Sequence, residues 1–127
     1  MNNNTIDYLL DYFKYNTSKK KPITNQRIDQ LLQSNLGMKP IGEGGIRALI
    51  HEIRKNYSIF NDDTKERGWV CGGNDGYYIT YNGHDILEHM NQFEGKIRKM
   101  MVIHRKGMEI LMDKIYYKQA TLKFEES

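Results

Sequence analysis

Cysteine is nearly missing from this chain: Cys71 is the only one in 127 residues. A single thiol can neither close an internal disulfide nor complete a zinc cluster, and its neighbours Trp69, Val70 and Gly72 read as strand, so Cys71 is expected to pack rather than react. Long apolar runs are also lacking, and the opening MNNNTIDYLLDY has no basic stretch ahead of an apolar one. Neither a membrane span nor a signal peptide is expected, and the protein is expected in the cytoplasm. Catalytic constellations are missing as well. His84 and His89 stand five apart and do not share a helical face for a metal, so both are expected at the surface. The stretch Gly72-Gly73-Asn74-Asp75-Gly76 lacks the Gly-Lys-Ser/Thr ending of a phosphate-binding loop, and Asp62-Asp63 lacks the glycine and distal glutamate of a calcium loop. The sequence therefore predicts no enzyme, no cofactor and no metal.

What is present is an uneven distribution of charge. The net +3 resolves into −1 over residues 1–18, +5 over 19–55, −2 over 56–81 and +1 over 82–127. The basic stretch opens with Lys19-Lys20-Lys21 and closes with Arg54-Lys55. A concentrated positive segment is the electrostatic footprint of a nucleic-acid binder, and also of many solvated helical faces.

Hydrophobic spacing orders the rest. Ile6, Leu9, Leu10 and Phe13 predict a first helix over residues 5–15 with one inward face. After a polar loop ended by Pro22, Thr24 is placed to cap a second helix, on which Ile28, Leu31 and Leu32 make a short stripe that stops in Ser34-Asn35-Leu36-Gly37. A connection through Pro40 leads to a third helix from Glu43 to Asn56. Its Ile46, Leu49, Ile50 and Ile53 cluster on one side, beside a polar stripe of Arg47, His51 and Arg54. Two helices in this order, the second basic along its open side, predict a helix-turn-helix. Arg67–Cys71 and Tyr77–Tyr81 then predict a β-hairpin, with Tyr77 and Ile79 facing the core and Tyr78 and Thr80 facing away. Tyr57–Glu66 reads as a loop with a short extended piece at Ser58-Ile59-Phe60.

From Gly83 to about Ala120 there is no proline and one long helical pattern. Ile86, Met90, Phe93, Ile97, Met100 and His104 follow heptad spacing, and Met108, Leu111 and Ile115 continue it after a stutter. Phe93, Ile97, Met100, His104, Met108, Leu111 and Ile115 are accordingly the candidates for pairing with a second chain, while Gly95 and Gly107 are places where the helix could bend. The fold expected is mainly α with a small β-hairpin, an α+β chain. It comprises an N-terminal helix in residues 1–18 packing on the core or a partner, a winged helix-turn-helix over 22–81, a long and dimerising helix over 83–120, and a tail.

The candidate DNA contacts follow from this layout. Arg47, His51, Arg54 and Lys55 lie on the third helix, arginine being the side chain best shaped for guanine O6 and N7. Arg27 on the second helix and Arg67 on the hairpin add cations. Gly44 and Gly45 would let backbone amides approach a phosphate, or else belong to a tight turn. Lys19, Lys20 and Lys21 form either a solvated loop or a flexible basic arm. The alternative for Arg47 and Arg54 is that their stems lie on the core and their heads pair with Glu43 or Asp62. The hairpin tip offers Asn74 and Asp75 and no cation.

The pieces Ile23-Thr24-Asn25, Gly45-Ile46-Arg47-Ala48-Leu49-Ile50-His51-Glu52-Ile53-Arg54, Gly76-Tyr77-Tyr78-Ile79 and Phe93-Glu94-Gly95-Lys96-Ile97-Arg98 resemble a group of small phage and prophage winged-helix proteins. The resemblance covers about residues 22–100, and departs from the group in the Tyr57–Glu66 insertion and the extended last helix. It implies a DNA-binding replication or regulatory factor; together with the heptad pattern, the expectation is a homodimeric regulator of transcription or replication that binds duplex DNA in a host cytoplasm. The competing expectation is a module that binds a host or phage protein, such as an inhibitor of a nuclease or defence complex.

Overall fold

The computed structural model describes residues 3–126, with side chains for 4–119. It is mainly helical with a small antiparallel sheet. Helices α1 (Asn3–Asn16), α2 (Asn25–Leu36) and α3 (Gly42–Asn56) are followed by strands β1 (Ile59–Phe60), β2 (Arg67–Gly73) and β3 (Gly76–Thr80), and then by α4 (Gly83–Glu126). No helix among the described residues is long and apolar enough to cross a membrane. The chain divides into two compact units, one ending at His89 and one beginning at Met90.

In the first unit one apolar core gathers the three short helices and the sheet. Ile6, Leu9 and Phe13 of α1, Ile28 and Leu32 of α2, and Ile46, Leu49, Ile50 and Ile53 of α3 are all buried there with Val70 and Ile79 of the sheet. The i, i+3, i+4 spacing on each helix turns a single stripe inward, and burial of these side chains is the main force holding the unit together. Thr24 caps α2 as its sequence position predicts, its hydroxyl accepting the Arg27 amide at 3.1 Å. At the other end Gly37 donates its amide to the Gln33 carbonyl.

The sheet has the order β1-β2-β3. Val70 pairs with Ile79 and Gly73 with Gly76, so only Asn74 and Asp75 make the turn. The five-residue loop read from the sequence is shorter because its glycines continue both strands. On the far edge Ile23 joins β3, exchanging two backbone hydrogen bonds of 2.8 Å with Tyr77. This approach requires Gly76: its φ is +121°, and a Cβ there would lie 2.3 Å from the Ile23 carbonyl oxygen. The short piece expected around Ile59 is a true third strand, pairing with Gly68 and Arg67.

Two sequence expectations need correction. Thr80 lies on the side of β3 opposite Ile79, as expected, but that side is not open to solvent: Thr80 is buried, its hydroxyl donating to Asp85 at 3.2 Å and accepting from the Asn82 amide. The start of α4 covers that side of β3, so alternation there separates two buried surfaces rather than core from solvent. His89 is not a free surface residue either: its Nδ1 accepts the Trp69 indole N–H at 2.9 Å. The 57–66 loop closes on itself through Asn61, whose side chain accepts from the amides of Asp63 and Thr64. It is tied to α1 by Asp62, which pairs with Lys14 and accepts the Tyr15 hydroxyl at 2.7 Å.

In the second unit α4 is helical throughout, including Gly95 and Gly107. Its apolar side chains from Ile97 to Tyr117 are exposed.

Candidate nucleic-acid interface

The face of α3 opposite its buried stripe is a shallow surface lined by Arg47, Ala48, His51, Glu52 and Lys55. Steps of four residues advance about 40° around a helix, so 47, 51 and 55 form a gently winding row, with the small Ala48 leaving room beside it. Arg47 is exposed and pairs with Glu43 one turn earlier, N to O 2.6 Å. That carboxylate hydrogen bond raises the Arg47 pKa above its usual value, and at a solvated surface such a pair contributes little to stability. His51 and Lys55 are exposed.

Arg54 lies seven residues after Arg47, almost the same direction around the helix, yet its surroundings differ. Its Nε donates to the Val70 carbonyl at 2.9 Å, and the guanidinium lies 5.6 Å from the Trp69 ring centre and 5.9 Å from that of Tyr77. Burial draws its pKa down, with the neighbouring Tyr77 and Cys71 acting in the opposite sense; arginine titrates so high that it stays a cation. Arg54 is thus turned onto the sheet, as the core-packing alternative had it, with backbone and aromatic partners in place of Glu43 or Asp62. β2 covers only the C-terminal half of this side of α3.

The amino end of α3 is closed by α2. Both carboxylate oxygens of Asp29 accept backbone amides, Ile41 at 3.1 Å and Gly42 at 3.1 Å. A negative group already sits where a phosphate would be drawn by the helix dipole. Gly44 is exposed, whereas Gly45 accommodates Ile41: a Cβ at 45 would lie 2.8 Å from the Ile41 Cβ. Both glycines lie in the first turn of α3, where Gly45 is needed for close packing on Ile41 and Gly44 is open to solvent. Asp29 was not singled out in the sequence, because nothing in the local pattern marks a residue that reaches across 13 positions.

The lysine triplet is a closed turn, not a flexible arm, with Ser18 and Lys21 bridged through their backbones. Lys19 pairs with Asp85 at 3.0 Å, an interaction that raises the lysine pKa and lowers that of the carboxyl. Lys20 and Lys21 are exposed. A second shallow depression lies beside the start of α2, lined by Tyr12, Lys21, Thr24 and Arg27 among others. Arg27 is exposed, with a 3.4 Å contact to Gln30. Arg67 pairs with Phe60 at the end of β2 away from the Asn74-Asp75 turn, so it stands apart from the turn and from Ile23.

Of the residues expected to pair chains, Ile97, Met100, His104, Met108, Leu111 and Ile115 are exposed along α4 and Phe93 is half-buried. His84, Asp85 and Glu88 bring possible ligand atoms within 4.8 Å of one another, a grouping that weighing His84 against His89 had missed. Asp85 there already accepts from Lys19 and Thr80. Cys71 is buried, and burial pushes its thiol pKa up, which disfavours the reactive thiolate. Comparison of the chain with protein-family models, with curated proteins and with solved structures gives no match.

Proposed function

We propose that this protein binds duplex DNA through the exposed face of α3, in a winged helix-turn-helix whose wing is the β2–β3 turn. The observation that carries the reading is the row Arg47, His51 and Lys55 with Ala48 beside it, standing clear of the core on the second of two helices clamped by Asp29. The order of elements supports the fold reading: a helix, a short extended segment at Ile23 paired with the last strand, two helices, then a hairpin. In this geometry α3 enters the major groove, and Lys20, Lys21 and Arg27 meet the phosphate backbone beside it. Arg54 is a positioning residue that fixes α3 on the sheet. The resemblance to phage winged-helix proteins fits a regulator of transcription or replication.

Fluorescence anisotropy of labelled duplex against salt tests the reading. Binding is expected to weaken steeply as salt rises, and Lys55→Ala is expected to reduce the slope of log K against log salt by about 0.9. Arg47→Ala is expected to cost about 1–3 kcal/mol on a cognate site. Absence of binding at low salt, or binding indifferent to both substitutions, would sink the proposal.

Two observations favour a second reading, a module that binds a protein partner. The wing turn carries Asn74 and Asp75 and no cation, and Glu43 offsets Arg47. A chain that ignores duplex at low salt would favour it.

A further inference from the structure

The side chains along α4 repeat every eleven residues. Ile86, Ile97 and Met108 occupy equivalent places, and so do Met90, Met101 and Met112. Phe93, His104 and Ile115 form a third set at the same interval, and His89, Met100 and Leu111 a fourth. Eleven residues complete three turns with about 20° to spare, whereas seven fall about 20° short of two. The two successive steps of four, from Met100 to His104 to Met108, break a heptad but belong to this repeat. The twelve positions therefore hold one stripe along the helix.

The first repeat is partly used within the N-terminal unit, where Ile86 is half-buried and His89 accepts from Trp69. In the next two repeats the same places are open: Ile97 is 54 % exposed, Met100 68 % and Met101 56 %. Residues 97–118 carry this open stripe for about 33 Å at 1.5 Å per residue.

The rims of the stripe say what covers it. Over residues 90–118, one rim carries Glu94, Arg98, Arg105 and Glu109, and the other carries Lys96, Lys114 and Lys118 with no acid. An antiparallel pair of these helices would set the lysine rim against its own copy. A parallel pair sets it against the rim that holds both glutamates, and like charges across such a seam select against the first arrangement. Arg98 is meanwhile paired to its own Glu94 at 2.5 Å, which moderates its approach to Lys96 of a second copy.

We propose that α4 pairs with α4 of a second copy of this chain, parallel and in register, along the eleven-residue repeat. The pair winds slowly and to the right, opposite in hand to a heptad coiled coil. The proposal stands whether or not the chain binds DNA.

Light scattering of the full chain, together with Ile97→Cys and Met108→Cys made separately and oxidised mildly, tests it. The expected results are a mass of two chains for the unaltered protein and a covalent homodimer from each cysteine variant. The unaltered chain, whose sole thiol Cys71 is buried, is the uncrosslinked control. An antiparallel pair can bring at most one position opposite its own copy, so crosslinking at only one of the two sites, or at neither, overturns the arrangement. A mass of one chain, or of more than two, overturns the pairing. The variant Met101→Glu with Leu111→Glu is expected to become monomeric while keeping its helical circular dichroism. A dimeric mass for that variant also counts against the seam.

Discussion

The Arg54 guanidinium is held by the Val70 carbonyl and by the faces of Trp69 and Tyr77. A planar, weakly hydrated cation suits such a slot, and a lysine ammonium does not. Arg54→Lys is therefore expected to lose about 1–3 kcal/mol in urea unfolding, most of what Arg54→Ala loses; a lysine variant as stable as the parent would refute this account. Gly76→Ala is expected to cost about 1–3 kcal/mol, because the left-handed backbone and the Ile23 carbonyl both oppose a side chain. Asp85 gives a pH dependence. Its hydrogen bonds from Lys19 and Thr80 hold its pKa below the ordinary 3.8. A depressed carboxyl pKa stabilises the fold above the unfolded value, and that contribution is lost as pH falls below 3.8 through the folded value. Acid unfolding of Asp85→Asn is expected to show a smaller decline over that interval than the parent.

At the scale of elements the clamp between α2 and α3 matters most. Asp29 satisfies two amides that α3's own N-terminus leaves open, since Ile41 has no capping side chain. Asp29→Ala is expected to cost about 1–2 kcal/mol in stability. Thermal unfolding measures it, and an unchanged midpoint would show that water caps the helix equally well. The comparison with the sequence also belongs at this scale. The helices were legible because each owes its position to a stripe, such as Ile46-Leu49-Ile50-Ile53, and Thr24 was legible because capping is local. The Asp29 clamp and the pairing of Ile23 with Tyr77 were not, since each joins residues far apart in the chain. Arg54 shows the limit for the candidate site: helical periodicity gives it the same direction as Arg47, and only the span of β2 decides which of the two stays in solvent.

Across the whole molecule, charge and apolar surface are separated along the chain. The +5 stretch, residues 19–55, holds the row on α3, and the open apolar stripe lies along α4 from Ile97 onward. Substitutions on α3 and on α4 are expected to act independently: Arg47→Ala should leave the mass of the assembly unchanged, as light scattering would show. A change of mass in that variant would mean the two surfaces are coupled. Trp69, the only tryptophan in the chain, donates its indole N–H to His89 beside Arg54. Light emitted by the indole therefore reports on one joint, where β2 meets the beginning of α4. A ligand that leaves this joint intact leaves the colour of that emission unchanged, and one that opens it to water shifts the emission to the red. The chain carries a built-in optical gauge of whether its long helix stays docked at its root.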